Sequence, residues 1–318
     1  AALDVIGGAA SALLVRPTVL APGGWIDWQA KPRQLYSLDK APEAAGAYKL
    51  QAYDKDTCVC EPGDPTAAAA QYSGWQAAAE QKLVAQSAIQ GYTTRNGQPP
   101  ATPEAITASY PNNSLPGLTP GLKELIASML ANPSPPPGAP PQAGAPANGQ
   151  LPNPGNQPQQ AGPPLSQAIA LDDTLRIVID KTAHRLALVS GSVLLRSYPV
   201  GLGGNRTPEG EFTISEKVRN PNGRDNGDFG SRGMTLSDTL YAIHGTNQPT
   251  SIGADRSLGC IRMLKGDVEE LFDMVPLGTK VTIGKGLLPA DIRRAEVPFR
   301  LPVQAQETNP GKVYKWLN

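Results

Sequence analysis

The sequence predicts a mainly β fold for residues 165–318, preceded by a separate mixed α/β region. Apolar and polar residues alternate at 175–180 and 185–189, and a Ser-Gly-Ser turn connects the second segment to 193–199, as in consecutive hairpins. One segment, 267–275, has apolar residues at a helical spacing. Many short strands with one helix indicate a β-sandwich or barrel-like domain. Further strands are predicted at 211–216, 241–244 and 280–283.

A segment rich in proline divides the chain. Residues 132–164 contain 12 Pro and 5 Gly and no charged or aromatic residue. Such a segment cannot offset the entropy of ordering a packed element, and its proline content favours an extended polyproline conformation. We therefore predict an N-terminal region at 1–131, a semi-rigid linker at 132–164 and a C-terminal domain at 165–318. A chain that starts near Leu165 is expected to fold on its own.

The N-terminal region is predicted to contain both helices and strands. Residues 66–92 are rich in alanine and predict a helix, and Thr119 followed by Pro120 indicates the start of another. Alternating segments at 25–28 and 47–53 predict strands. The two tryptophans of the first strand could stack on a glycan, but a core position is commoner for tryptophan.

Composition excludes several functional classes. The chain has 28 Lys and Arg against 28 Asp and Glu, so it lacks the basic excess needed for bulk binding of nucleic acid or of an anionic membrane. Three Cys and two His do not supply a zinc ligand set, and we predict no metal and no cofactor. No apolar run is long enough to span a bilayer. Because the sequence begins with Ala1 and not Met, a signal peptide or anchor is expected to have been removed.

Cys58 and Cys60 are separated by one residue, in a segment that precedes Pro62-Gly63. Such a pair can bind a soft metal or exchange disulfides, and a disulfide between near neighbours is expected to be easily reduced. Two free thiols are the simpler interpretation, since nothing else in the sequence supports a metal site.

The remaining cysteine, Cys260, is the strongest candidate nucleophile. It lies in the Gly-containing segment Ser257-Leu258-Gly259-Cys260, where backbone amides can converge on a carbonyl oxygen. His244 ends a predicted strand and is followed by Gly245. A histidine that removes the thiol proton generates the thiolate, which is the form that attacks carbonyl carbon.

These residues resemble a known family. Ile243-His244-Gly245-Thr246 followed by Ser257-Leu258-Gly259-Cys260-Ile261-Arg262 is similar to the signature of the L,D-transpeptidase catalytic domain of the YkuD type. The resemblance extends over about 175–284 and includes a Thr-Pro-x-Gly-x-Phe turn at 207–212. An ordered set of motifs is much more specific than one motif alone.

The resemblance implies an enzyme of bacterial peptidoglycan that works outside the cytoplasm, in the cell wall, periplasm or at the cell surface. Such enzymes cleave the L,D bond of a tetrapeptide stem, release D-Ala, hold the stem as a thioester and pass it to an amine; carbapenems are expected inhibitors. Carried onto this sequence, Cys260 is the nucleophile, His244 the base and Gly245 the carbonyl that orients it. The predicted oxyanion and substrate contacts are Gly259, Arg262 and Ser257, together with the Cys260 amide.

The sequence leaves other functions open. The family often has His before the Gly-Cys pair, and this chain has Leu258 there. The same chemistry with water as acceptor would give an L,D-carboxypeptidase or a hydrolase, and a chain without activity would be a wall-binding scaffold. The N-terminal region could be a wall-binding or anchoring module.

Overall fold

In the computed structural model, residues 2–4, 11–40, 48–132 and 173–318 are described. The predicted linker, apart from Asn132, lies outside these residues, and so does the expected domain start at Leu165. No helix within the described part of the chain combines the length and the apolar composition required to cross a membrane.

The N-terminal region contains helices and strands, as predicted. Helix α1 includes the whole Ala-rich segment, and the Thr119 hydroxyl caps α2 by accepting a hydrogen bond from the Leu122 amide at 3.3 Å. The elements are β1 (Ala2–Asp4), β2 (Ser11–Arg16), β3 (Thr18–Leu20), β4 (Trp25–Asp27), β5 (Arg33–Lys40), β6 (Tyr48–Ala52), α1 (Thr66–Asn96) and α2 (Pro120–Ala131).

The C-terminal half is mainly β with one α-helix among its described residues, which confirms the predicted fold class. All six predicted strands and the predicted helix are present. The elements are β7 (Arg176–Asp180), β8 (Arg185–Ser190), β9 (Val193–Pro199), β10 (Gly210–Arg219), β11 (Arg232–Leu236), β12 (Ala242–Gly245), β13 (Ile261–Met263), α3 (Lys265–Met274) and β14 (Lys280–Gly284).

The strands form two sheets. Strands β1, β2, β5 and β6 form a small sheet in the order β1-β2-β5-β6. The other ten form a mixed sheet in the order β13-β12-β11-β10-β14-β7-β8-β9-β4-β3. Strand β4 of the N-terminal region pairs in parallel with β9, so the large sheet includes strands from both halves of the chain.

The two halves also share one hydrophobic core. Leu83, Val84 and Ala88 of α1 belong to the same buried cluster as Ile177 and Leu188 of the large sheet. The physical reason is that an apolar sheet face must be covered by another layer, and α1 provides part of that cover. The boundaries at 131 and 165 stay a prediction.

A buried ionic network connects α1 with the large sheet and with α3. The guanidinium of Arg196 on β9 donates to both carboxylate oxygens of Glu80 on α1, at 2.9 and 2.8 Å, and to Glu270 on α3 at 2.9 Å. The Trp28 indole also donates to Glu80 at 2.7 Å. Since the Arg196 side chain is only 1% exposed, its charge depends on these carboxylates and not on water.

Glu80→Ala is therefore expected to lower the free energy of unfolding by about 3 kcal/mol, because it leaves part of a buried guanidinium without a partner. Denaturant unfolding measures this loss. Glu124→Ala on α2, which removes an exposed carboxylate, is the control and should change stability by less than about 0.5 kcal/mol. Equal effects of the two substitutions would contradict a structural role for the network.

The shared core also predicts the outcome of truncation. A chain that starts near Leu165 lacks α1, so it exposes the apolar face of the large sheet and leaves Arg196 without Glu80. We expect this fragment to aggregate or to unfold without a cooperative transition, whereas the full chain should unfold cooperatively. Thermal unfolding followed by circular dichroism compares them, and a cooperative fragment would show that the C-terminal half folds alone.

Two smaller predictions have different outcomes. The prediction of two free thiols is wrong, because a disulfide joins Cys58 and Cys60. Their Cα atoms are 5.3 Å apart, within the range that a disulfide spans. The core interpretation of Trp28 is confirmed: its side chain is buried and its ring centroid lies 5.4 Å from that of Trp75.

Candidate active site

His244 lies on β12 with a fixed ring orientation. Its Nδ1 atom is 2.5 Å from the carbonyl oxygen of Gly245. A carbonyl oxygen only accepts, so Nδ1 carries the proton and Nε2 of the neutral ring has a free lone pair. Among the described residues this buried Nε2 atom has no hydrogen-bond partner. The ring is therefore oriented to accept a proton at Nε2.

The sheet register places Cys260 on the same face as His244. Strands β12 and β13 are parallel, with His244 opposite Arg262. Opposite residues share a face and side chains alternate along a strand, so Cys260, two residues before Arg262, faces the same side. Phe229 and Trp316 contact this side: both lie within 6.0 Å of the His244 ring, centroid to centroid, and both belong to the buried cluster of Cys260.

The turn that precedes Cys260 requires glycine. Gly259 has a φ of +141°, and a Cβ atom there would lie 2.5 Å from the Tyr241 ring and 2.8 Å from the Arg206 carbonyl oxygen. Ser257 is buried within the turn, where its hydroxyl donates to the Cys260 carbonyl at 2.7 Å and accepts from the Gly259 amide at 3.1 Å. Ser257 thus holds the turn in shape, and its predicted contact with substrate stays a prediction.

The predicted nucleophile and base are both uncharged at neutral pH. Burial raises the pKa of Cys260 to about 12, and its thiol lies 3.7 Å from the Leu240 carbonyl oxygen. Burial also lowers the pKa of His244 to about 4, and the nearby Arg262 cation acts in the same direction. At neutral pH the pair therefore consists of a thiol and a neutral imidazole, and neither group carries a charge.

Leu317 and Asn318 form hydrogen bonds with the remaining polar groups of the site. The Cys260 amide, one of the predicted oxyanion donors, donates to the Leu317 carbonyl at 2.9 Å. Arg262 donates from Nε to the Asn318 side-chain oxygen at 2.7 Å, and its buried NH1 group has no partner among the described residues. Asp255, which could have paired with Arg262, instead contacts His184 at 2.9 Å.

Comparison with known proteins gives the family. A profile described as the L,D-transpeptidase catalytic domain, YkuD, matches residues 174–283. YqjB of Bacillus subtilis, named as an L,D-transpeptidase, is 34% identical over 122 residues, which is 34% of this chain and 69% of YqjB. The chain belongs to the YkuD family of L,D-transpeptidase domains.

Other members of the YkuD family match the same region. YkuD of Bacillus subtilis, also named as an L,D-transpeptidase, is 43% identical over 111 residues, which is 34% of this chain and 65% of that protein. The chain thus covers slightly less than two thirds of this relative. A solved L,D-transpeptidase from Mycobacterium smegmatis is 22% identical, with a TM-score of 0.30 over 35% of this chain and 58% of that one. The assignment depends on the sequence matches.

The Thr-Pro-x-Gly motif of this YkuD-type domain supports the cysteine turn. The Thr207 hydroxyl is buried and accepts from the Gly203 amide at 2.8 Å. Gly203 in turn packs against the turn, since a Cβ atom there would lie 2.8 Å from the Gly259 nitrogen. The motif therefore positions the backbone around Cys260. Leu258, where the family often has His, points outward and is 53% exposed.

Sequence reasoning missed the aromatic and C-terminal parts of the site. Phe229 meets His244 edge to face at 5.1 Å, and Trp316 stacks on His244 and meets Phe229 edge to face at 5.0 Å. Neither residue belongs to the motifs quoted above. The aromatic cluster Tyr314-Lys315-Trp316 near the chain end is the one signal that could have indicated a packed tail.

Proposed function

We propose that this chain is a cysteine acyltransferase of peptidoglycan. It takes the acyl group of a tetrapeptide stem, cleaves the L,D bond, releases D-Ala and transfers the stem from Cys260 to an amine, either of a second stem or of a protein. Peptidoglycan stems are its partners and carbapenems its inhibitors, and it acts outside the cytoplasm. Within residues 1–131, helices α1 and α2 serve the catalytic domain as a packed cover, in addition to any contact of this region with the wall.

The reaction proceeds in two balanced steps. His244 Nε2 accepts the Cys260 thiol proton, the sulfur attacks the carbonyl carbon, and the bond to D-Ala breaks as its amine receives that proton. An acceptor amine then attacks the thioester, the C–S bond breaks, and the amine proton returns through His244 to the thiolate. Gly245 keeps the ring in the required tautomer throughout.

The Cys260 amide is the best-placed oxyanion donor, because it already donates to a carbonyl oxygen, that of Leu317. The Gly259 amide is engaged by Ser257 and would contribute only if that bond opened. Arg262, with one donor on Asn318 and another unpaired, is suited to a carboxylate of the stem.

One observation supports the proposal most strongly. A buried imidazole with its Nδ1 proton fixed on Gly245 presents a free Nε2 on the sheet face that holds the single free thiol among the described residues. A structural histidine would normally satisfy both ring nitrogens, since an unpaired buried acceptor is costly. The free nitrogen is expected at a site that binds a proton during turnover.

The test is incubation of the full chain with a disaccharide tetrapeptide, followed by mass spectrometry. A cross-linked dimer formed with loss of D-Ala supports acyl transfer to an amine. Loss of D-Ala with gain of water, and no dimer, would replace transfer by hydrolysis. Unchanged substrate with the full chain and also with folded Trp316→Ala, which lacks the ring stacked on His244, would overturn the proposal in favour of a non-catalytic wall-binding role.

A further inference from the structure

Residues 312–318, here called the C-terminal segment, have no regular secondary structure and lie across the site. The Leu317 amide donates to the Leu240 carbonyl at 3.0 Å, and the Leu317 carbonyl accepts from the Cys260 amide at 2.9 Å. Leu240 is also the residue whose carbonyl lies 3.7 Å from the Cys260 sulfur. The Leu317 backbone thus hydrogen-bonds to two backbone groups next to the thiol, the Leu240 carbonyl and the Cys260 amide.

Its side chains cover the remaining parts of the site. Trp316 stacks on the His244 ring, with centroids 6.0 Å apart and planes at 12°, and is 7% exposed. Asn318 accepts from Arg262 Nε at 2.7 Å and donates to the Asp228 carbonyl at 3.3 Å. Trp316 therefore covers the base His244, and the Leu317 carbonyl engages the Cys260 amide. The Asn318 side chain engages the Arg262 guanidinium.

The rest of the protein is shaped to receive the segment. Gly233 on β11 leaves space for the Trp316 ring, since a Cβ atom there would lie 2.2 Å from it. Before the site, Tyr314 is anchored on both sides of its backbone by Asn222, at 2.7 and 3.2 Å, and its hydroxyl donates to Glu216. The anchor at Tyr314 holds the segment at a high local concentration near the site.

We propose that the C-terminal segment is an autoinhibitory peptide that fills the acyl-donor groove and must leave before Cys260 can be acylated. The identity of the groove depends on the function proposed above. The contacts are those that a donor peptide would make: an amide to a carbonyl oxygen, and a guanidinium to a side-chain oxygen. The segment consists of L-residues only and contains no L,D bond. It therefore occupies the groove without being cleaved.

Displacement of the segment is tested first by the rate at which iodoacetamide alkylates Cys260. Trp316→Ala removes the ring. Gly233→Ala keeps the segment unchanged but fills the space that the Trp316 ring needs. Both variants should raise the population of the open site and accelerate alkylation about tenfold or more. Lys315→Ala and Val313→Ala change exposed side chains of the same segment and should react like the wild type. Thermal unfolding of each variant shows whether it is folded. Unchanged or slower alkylation in folded Trp316→Ala would overturn the proposal.

Hydrogen exchange on the unaltered protein provides the second test. Once a carbapenem occupies Cys260, the peptide that contains 312–318 should exchange faster than in the free protein, because the Leu317 amide loses the Leu240 carbonyl. Protection that stays the same in the acylated protein would overturn the proposal.

The outcomes also separate this proposal from the function itself. Faster alkylation in both variants without any carbapenem adduct would support the covering segment and contradict the acyltransferase. An adduct that forms equally fast in wild type and in folded Trp316→Ala would support the acyltransferase and contradict autoinhibition. Slower adduct formation in Trp316→Ala would show that the segment completes the site, which also overturns the proposal.

Discussion

Cys260→Ala is expected to abolish the covalent adduct that the full chain forms with a carbapenem. The adduct is a thioester, and the described part of the chain offers one free thiol, in a turn where a backbone amide can stabilise the oxyanion. Intact-mass spectrometry after incubation should show the mass increase in the wild type and none in the variant.

The control is the double variant Cys58→Ser, Cys60→Ser, which removes the disulfide and leaves Cys260 in place. It should form the adduct at the wild-type rate, since this pair contacts none of the site residues described above. An adduct that persists in Cys260→Ala, or that disappears in the double variant, would contradict the assignment of the nucleophile.

His244→Ala is expected to slow carbapenem acylation by about 10²- to 10⁴-fold, the usual contribution of general base catalysis. The reason is electrostatic as well as geometric: burial raises the pKa of Cys260 to about 12, so the thiol needs an acceptor for its proton at neutral pH. Stopped-flow or quenched-flow measurement of adduct formation gives the rate.

The matched control is His184→Asn, which alters the other histidine of the chain. His184 has a φ of +51°, a conformation that asparagine tolerates well, and it contacts Asp255 on the protein surface. Its loss should leave acylation within about twofold of the wild type, since it has no part in proton transfer. Equal losses in both variants would indicate that His244 acts only through the fold.

The fold of the C-terminal half could be predicted because its signals are local. The hairpin β8–β9 follows from alternation on either side of Gly191, and α3 from the spacing of Val268, Leu271 and Phe272. The candidate site was predictable for a related reason, since His244 and Cys260 each lie in a short ordered motif. The pairing of β12 with β13, which starts directly after Cys260, then brings the two motifs side by side.

The contacts between the two halves could not be predicted in this way. Half of the buried residues of α1 are alanines, and alanine also occurs along the exposed side of this helix, so the sequence does not distinguish the buried face. The pairing of β4 with β9 joins segments that share no local pattern. The covered site is a further case, since nothing in Trp316 or Leu317 indicates which groove they fill.

The shared core also constrains the order in which the protein can fold. The Gln29 side chain bonds the Leu195 carbonyl across a separation of 166 residues, and α1 packs on strands made after it. At about 5–20 residues per second, Leu195 is synthesised roughly 8 to 33 s after Gln29, and β7 roughly 5 to 19 s after Leu83. Pairing over such separations is intrinsically slow. Leu83 and Val84 have no sheet to pack on until β7–β9 are available, so we expect the N-terminal half to complete its core only together with the C-terminal half.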